Sequence, residues 1–197
     1  MSSAKDHLLE TAIRIFSERG FRDTTIADIS RVSGANIAAV NYHFGSKEKL
    51  FRAALCQSYQ TAESIHPVTG NLPSDAPVGD RIAAFSRALL RRCFDSGPAG
   101  DFDRIMSRTL PVPGSPLPTI FEEVNPLALD QLNLLLKQIL PGAVISQARA
   151  ILIAMATTPL TYGEVLNPDF PRSPEEIEDF ISRQVHAINT ALHALAP

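Results

Sequence analysis

From the first turn of the chain onward, apolar residues recur three and four positions apart. Leu8, Leu9, Ala12, Ile13 and Phe16 share one face of a helix predicted over residues 4–19, and Gly20 follows as a stop signal. Thr25 with Asp28 three residues on has the form of a capping box, opening a short second helix that carries Ile26, Ile29 and Val32. Gly34 breaks that helix, Asn36 has the chemistry to cap a third running to about Tyr42, and Gly45-Ser46 ends it. Ser46, Lys47 and Glu48 open a fourth helix reaching about Ile65. Further helices are predicted near 79–95, 101–109, 118–139, 143–165 and 174–195. No stretch of useful length alternates with period two, so the expected fold is all-α. Two helices joined by a glycine turn within a short span make a helix-turn-helix arrangement.

Proline sharpens the division of the chain. All 15 prolines fall at Pro67 or later. Because proline breaks helices, the first 66 residues suit a compact helical head, and the remainder reads as helices joined by proline-rich loops at 66–79, 111–118 and 167–174. The expected domains are a helix-turn-helix head over 1–50 and a helical body over 51–197. Charge divides the same way: residues 1–52 hold 8 Lys+Arg against 6 Asp+Glu, a net of +2, and the rest of the chain carries −5 of the overall −3. A basic head on an acidic body is the asymmetry expected if only the head meets a polyanion.

At 197 residues, with 45% hydrophobic and 20% charged positions, the chain has an ordinary globular composition and excludes disordered, collagen-like and coiled-coil classes. The longest uncharged apolar stretch, Ala150 to Gly163, is interrupted by Pro159 and is too short for a membrane span. The first ten residues hold charges where a signal peptide needs an apolar segment, so a cytoplasmic location is expected. Cys56 and Cys93 form no metal or redox motif and read as reduced core residues. No P-loop, dinucleotide fingerprint, nucleophile elbow or HExxH motif occurs, so no enzymatic activity and no cofactor or metal is expected. His186 and His193 share a helix face but stand roughly 10 Å apart along it, too far for one metal ion.

If the third helix lies in a major groove, its first residues, Asn36, Ile37, Ala38 and Ala39, meet base edges. Small alanines permit close approach, and a methyl can touch a thymine methyl. Asn41, Tyr42 and His43 can donate hydrogen bonds to phosphates, and Lys47 stands where a helix N-terminus favours an anion. A solvated surface is the competing use of these residue types.

The order of the residues adds more. Residues 20–51, GFRDTTIADISRVSGANIAAVNYHFGSKEKLF, resemble the DNA-binding domain of TetR-family transcriptional regulators. The resemblance is carried by Gly20, Thr24, Thr25, Ile29, Gly34, Tyr42, His43, Phe44, Lys47, Glu48 and Leu50, and the run NIAAVNYHFGSKE is similar to a subset of that family. Asn36 stands where the family often has Ser or Thr, and Asn41 where it has Tyr.

The resemblance implies a homodimeric repressor on a palindromic double-stranded DNA operator, released by a small molecule bound in the C-terminal domain, with Thr25 added to the DNA-contacting residues. The fourth helix is then the lever between head and body. It also implies pairing of the last two helices with those of a second copy, through Ile151, Met155, Ile177, Phe180, Ile181, Gln184, Val185, Ile188 and Leu192. The chain's own core is the competing use of that stripe. Candidate effector-lining residues are Phe85, Leu89, Phe94, Phe102, Met106, Phe121 and Tyr162, for each of which a plain core role is the better explanation. Few charges interrupt these helices, which points to an apolar or amphipathic effector. Arg91, Arg92 or Arg104 are the candidates to meet a carboxylate. The alternative function is a helical protein-interaction module that has lost operator binding.

Overall fold

The computed structural model describes residues 3–117, 120, 126–166 and 169–196. Among these, nine α-helices follow one another without a strand: α1 (Ala4–Arg19), α2 (Ile26–Ser33), α3 (Ile37–Phe44), α4 (Lys47–Ile65), α5 (Val78–Phe94), α6 (Asp101–Thr109), α7 (Pro126–Leu136), α8 (Ile145–Leu166) and α9 (Pro174–His193). The expected all-α class is what the chain adopts. Of the helix expected over 118–139, the part over 121–125, with residues 118 and 119, lies outside the described residues, and so does Phe121.

Two compact units form, and they do not follow the expected division after residue 50. The first unites residues 1–62 with 96–125, and the second unites 63–95 with 126–197. The reason for the first grouping is in the packing. Leu8, Ala12 and Phe16 of α1, Ile29 of α2, Val40 and Phe44 of α3, and Leu50, Phe51 and Leu55 of α4 form one buried cluster that also takes in Phe102 and Ile105 of α6. Phe51 meets Phe16 and Phe21 edge-on, with ring centroids 5.0 and 4.9 Å apart. Each such contact is worth about 1 kcal/mol beyond burial of the ring area.

Gly20 closes α1 with φ +74° and ψ −179°, a conformation reserved in practice for glycine. Its N–H donates to Phe16 O at 2.8 Å. A Cβ there would stand 2.9 Å from the Arg108 carbonyl oxygen, so α6 lies directly on this corner. Arg108 Nε donates to Ser17 O at 2.8 Å, and the Phe21 N–H donates to Thr109 Oγ1 at 3.2 Å.

In the second unit, α5 packs against α8 and α9. Phe94, Phe170 and Phe180 form an aromatic cluster, the Phe94 ring 5.4 Å from Phe170 and 5.5 Å from Phe180. Gly163 lets the Phe170 ring lie directly on α8, where any Cβ would overlap it. Arg92 is 2% exposed; its guanidinium donates to Glu63 Oε2 at 2.6 Å and to His66 O. The α9 stripe is largely internal: Phe180, Ile181, Val185, Ile188 and Leu192 are buried within the chain itself. They fill this unit's own core instead of waiting for a second copy, while Ile151, Met155, Ile177 and Gln184 stay half-buried.

The span Gly142–Gly163 corrects the expectation about membrane-length segments. By length and composition it is apolar enough to cross a bilayer, and 28% of its most apolar 18-residue window is buried. Arg149 interrupts the uncharged run, yet one arginine does not disqualify a span. Ala148, Leu152 and Ala156 nevertheless sit in the core of the second unit. Both cysteines are thiols: Cys93 is buried and donates to Ala156 O, and Cys56 is half-buried, which pushes its thiol pKa up.

The two glycine corners of the head make a paired test. Gly20→Ala should cost about 3 kcal/mol, from forbidden backbone conformation plus the clash with Arg108. Gly34, at φ +69° with open space around it, should cost about 1 kcal/mol on the same change. Equal drops in melting temperature would show that α6 does not rest on Gly20.

Acid provides a second test. Asp6, Asp28 and Glu176 complete capping boxes with Ser3, Thr25 and Ser173. Hydrogen bonds from those capping residues hold all three carboxyls below the usual carboxylate range. Groups depressed in the folded chain stabilise it above their unfolded pKa and lose that contribution as pH falls through the folded value. The melting temperature should therefore drop as pH falls below about 4, and Asp28→Asn should flatten the slope; an unchanged slope would remove Asp28 from the account.

Candidate nucleic-acid interface

The head's paired threonines divide their work. Thr24 is fully buried and its hydroxyl donates to Gly20 O at 2.8 Å, tying the start of α2 to the corner that ends α1. Thr25 faces outward as the N-cap of α2: its Oγ1 accepts from the Asp28 N–H at 3.1 Å and donates to Asp28 Oδ2 at 2.6 Å. Its hydroxyl proton is thus committed within the chain. The turn to α3 passes through Gly34 in the left-handed region, and the Ser30 hydroxyl bridges it by donating to Ala35 O.

Asn36 caps α3, its Oδ1 accepting from the Ala39 N–H at 2.7 Å. Asn36 thus does the capping work of a Ser or Thr, and its side chain stands at the exposed surface. Val40 and Phe44 turn inward and are buried, which fixes the rotation of α3 about its axis. Everything on the opposite side is then presented outward: Ile37 is 50% exposed and Tyr42 86% exposed, with Ala38 and Asn41 also exposed. Ala39 and His43 are half-buried, and the Tyr42 and His43 rings meet edge-on at 5.2 Å. A half-exposed isoleucine and an almost wholly exposed tyrosine contribute little to the head's own core.

Lys47 occupies a different place from the one expected of a phosphate clamp. Its ammonium sits 4.2 Å from the centroid of the Phe21 ring and 3.5 Å from Arg22 O. Partial burial pushes its pKa down, opposed by the neighbouring carboxylates of Glu48 and Asp23. The side chain therefore latches the first turn of α4 to the corner after α1.

Two cations that no sequence motif marks stand near the end of α3. Lys5 Nζ lies 5.8 Å from the Phe44 ring centroid, and a Cβ at Gly45 would lie 3.8 Å from Lys49 Nζ. Both add to the head's positive charge, but no spacing rule connects Lys5, in α1, with the C-terminus of α3. Positive charge there also suits the helix dipole.

The candidate effector-lining residues do not gather in one unit. Phe102 is buried in the head core and Met106 packs against it; Phe102 meets Tyr59 at 5.3 Å. Phe85 is buried and Leu89 half-buried in the second unit, Phe94 belongs to the aromatic cluster with Phe170 and Phe180, and Tyr162 is 55% exposed. Of the candidate carboxylate partners, Arg92 is engaged by Glu63 and Arg104 donates to Gly97 O and Asp101 Oδ1. Arg91 forms a two-pronged pair with Glu178 at 2.9 and 3.0 Å, with both side chains about half exposed. Among the described residues, no three His, Cys, Asp or Glu side chains are grouped to hold a metal ion.

Comparison with known proteins agrees with this geometry. The family described as bacterial regulatory proteins, tetR family, matches residues 8–54, which run from the first core leucine of α1 into the middle of α4. The transcriptional repressor NicS of Pseudomonas putida is 40% identical over 55 residues, 28% of this chain and 26% of that protein. The negative transcriptional regulator IcaR of Staphylococcus epidermidis is 37% identical over 57 residues, 28% of this chain and 31% of that protein. The chain thus spans about a quarter to a third of the length of these curated relatives.

Solved structures extend the likeness of fold beyond the head. A transcriptional regulator from Rhodococcus sp. Rha1 superposes with a TM-score of 0.69 at 19% identity, covering 96% of this chain and 97% of its own. A TetR-family regulator from Streptomyces coelicolor does so at 0.65 and 19%, covering 96% of each chain. Residues 8–54 thus match the tetR family of bacterial regulatory proteins in sequence, and along the rest of the chain the likeness is one of fold.

Proposed function

We propose that this chain is a transcriptional repressor that binds a palindromic DNA operator as a homodimer, and that a small apolar or amphipathic effector releases it. The observation that carries the reading is the outer face of α3. Ile37, Ala38, Asn41 and Tyr42 project from a helix whose rotation is locked by Val40 and Phe44. A helix so presented, with small residues at its N-terminal half, suits entry into a major groove. The names of NicS and IcaR, a repressor and a negative regulator, support the direction of control.

In this reading Ile37, Ala38 and Ala39 make apolar contact with base edges, while Asn36 keeps α3 capped and offers its amide. Asn41, Tyr42 and His43, with Lys5 and Lys49 beside them, meet phosphates. Thr25 acts chiefly through its cap, which sets where α2 begins. Lys47 holds the start of α4 and adds its charge to the phosphate field.

Dimerisation is the natural use of the apolar helix α8. Only part of it is buried in its own chain, leaving Ile151 and Met155 half-buried and Tyr162 and Val165 exposed at 55% and 81%. Ile177 and Gln184 of α9 add half-buried surface of the same kind. A second copy covering this face suits a soluble, cytoplasmic regulator. An effector acts only through a difference in affinity between the DNA-binding and released arrangements.

Duplex binding measured against salt concentration tests the reading. Tyr42→Ala should weaken binding to all duplexes by several-fold without lowering the melting temperature, because the ring is exposed. Ala38→Arg should change or abolish sequence preference. Lys47→Ala should lower the melting temperature and reduce the salt slope by about 1. A slope unchanged by Lys47→Ala would assign that lysine to the latch alone, and unchanged affinities in all three variants would remove α3 as the reading helix.

A further inference from the structure

Beside the end of α4, the second unit carries an open groove of about 710 Å³, walled on one side by α5 and on the other by the segment 66–72. That volume is in the range of small-molecule sites. None of the aromatic residues singled out from the sequence lines it. Its floor is small and apolar, from Ala83, Ala84 and Ala88, and its polar lining is uneven.

Three cationic or protonatable side chains, His66, Arg87 and Arg91, gather at one end, while Asp80 stands two helical turns earlier on α5, roughly 10 Å along its axis. The wall is held close to α5 by Gly70, at φ +58°, where a Cβ would come 2.8 Å from Ala84 Cβ.

Arg87 and Arg91 are four residues apart on one helix, a spacing at which like charges repel. The acids that answer this charge come from other elements. Glu178 of α9 grips Arg91, and its carboxyl is held below the usual range by that bond, with Arg87 and His66 also contributing. Asp95 Oδ2 lies 3.3 Å from His66 Nε2. Arg87 makes no ion pair among the described residues, and the Arg91–Glu178 pair is exposed on both sides. An exposed pair of this kind contributes little to stability and exchanges readily for another anion.

We propose that this groove binds an organic anion, a carboxylate or sulfonate on a compact flat apolar body. Its charged end lies between Arg87 and Arg91 in competition with Glu178, and its body lies over Ala83 and Ala88. Ile65, the last residue of α4, and His66 line the same groove, so an occupant touches the end of the helix whose first turn carries Lys47. The consequence for DNA binding rests on the regulator reading above; the binding itself does not.

Calorimetric titration of the full chain with 2-naphthoate, and with its neutral analogue 2-naphthamide, tests the site without DNA present. The expected result is saturable binding of naphthoate, one per chain, and at least tenfold weaker binding of the amide. The double substitution R87Q/R91Q should weaken naphthoate at least tenfold by removing the charges. Ala83→Leu, which keeps both arginines but fills the floor, should do the same. Thermal melts confirm that the variants titrated are folded. Affinity that survives either variant, equal affinity for the amide, or no heat up to millimolar naphthoate overturns the site. Because no operator is involved, failure of the DNA-binding reading leaves this result standing, and failure of the groove leaves the DNA reading standing.

Discussion

The corner at Gly20 and Phe21 is the constraint on which the head depends. Gly20 takes a backbone conformation closed to other residues, and this turns Phe21 back to meet Phe51 while Phe16 meets Phe51 from α1. Thr24 bonds the same corner from just ahead of α2, Lys47 covers the Phe21 ring from α4, and Arg108 and Thr109 of α6 close over it. Four helices are thus referred to one point. With α2 placed, Ser30 and the left-handed Gly34 leave α3 little freedom, and burial of Val40 and Phe44 decides which of its faces looks outward.

That outward face is the surface on which the proposed function rests. Recognition in a major groove needs a helix that is rigid, correctly rotated and lined by residues not required by the core. The head meets each condition with a separate device: the Asn36 cap, the inward Val40–Phe44 pair and the surplus of exposed side chains from Ile37 to Tyr42. The body faces a different problem. Its helix α8 is apolar around more of its surface than its own unit covers, and the proposed second copy would cover that surplus.

Local signals were legible in the sequence where they act within a few residues. The capping pairs Thr25–Asp28 and Asn36–Ala39, the breaks at Gly20, Gly34 and Gly45, and the helical periodicity all describe contacts inside one turn or one helix. The ordered head motif rests on these same residues. What stayed hidden is long-range. Nothing in the spacing of Phe102, Ile105 and Arg108 says that α6 completes the head, because the partners lie far back in the chain, from Tyr59 for Phe102 to Ser17 for Arg108. The same applies to Lys47, whose charge and helix position suggest an outward clamp but whose ammonium rests on Phe21. The α9 stripe shows the limit of periodicity: Phe180, Ile181, Val185, Ile188 and Leu192 announce a buried face without saying whether the cover is the same chain or a second one.

The central claim, that α3 of a dimer reads a palindromic site, is tested most directly by selecting duplexes from a random DNA pool with the purified chain and weighing the complex formed on the best one. Enrichment of palindromes with half-sites about one helical turn apart, carrying an even number of chains, is the predicted result. Failure to enrich any sequence, even after unfolding and refolding the chain to remove a co-purified ligand, would contradict it and leave a helical head whose exposed α3 meets protein instead of DNA.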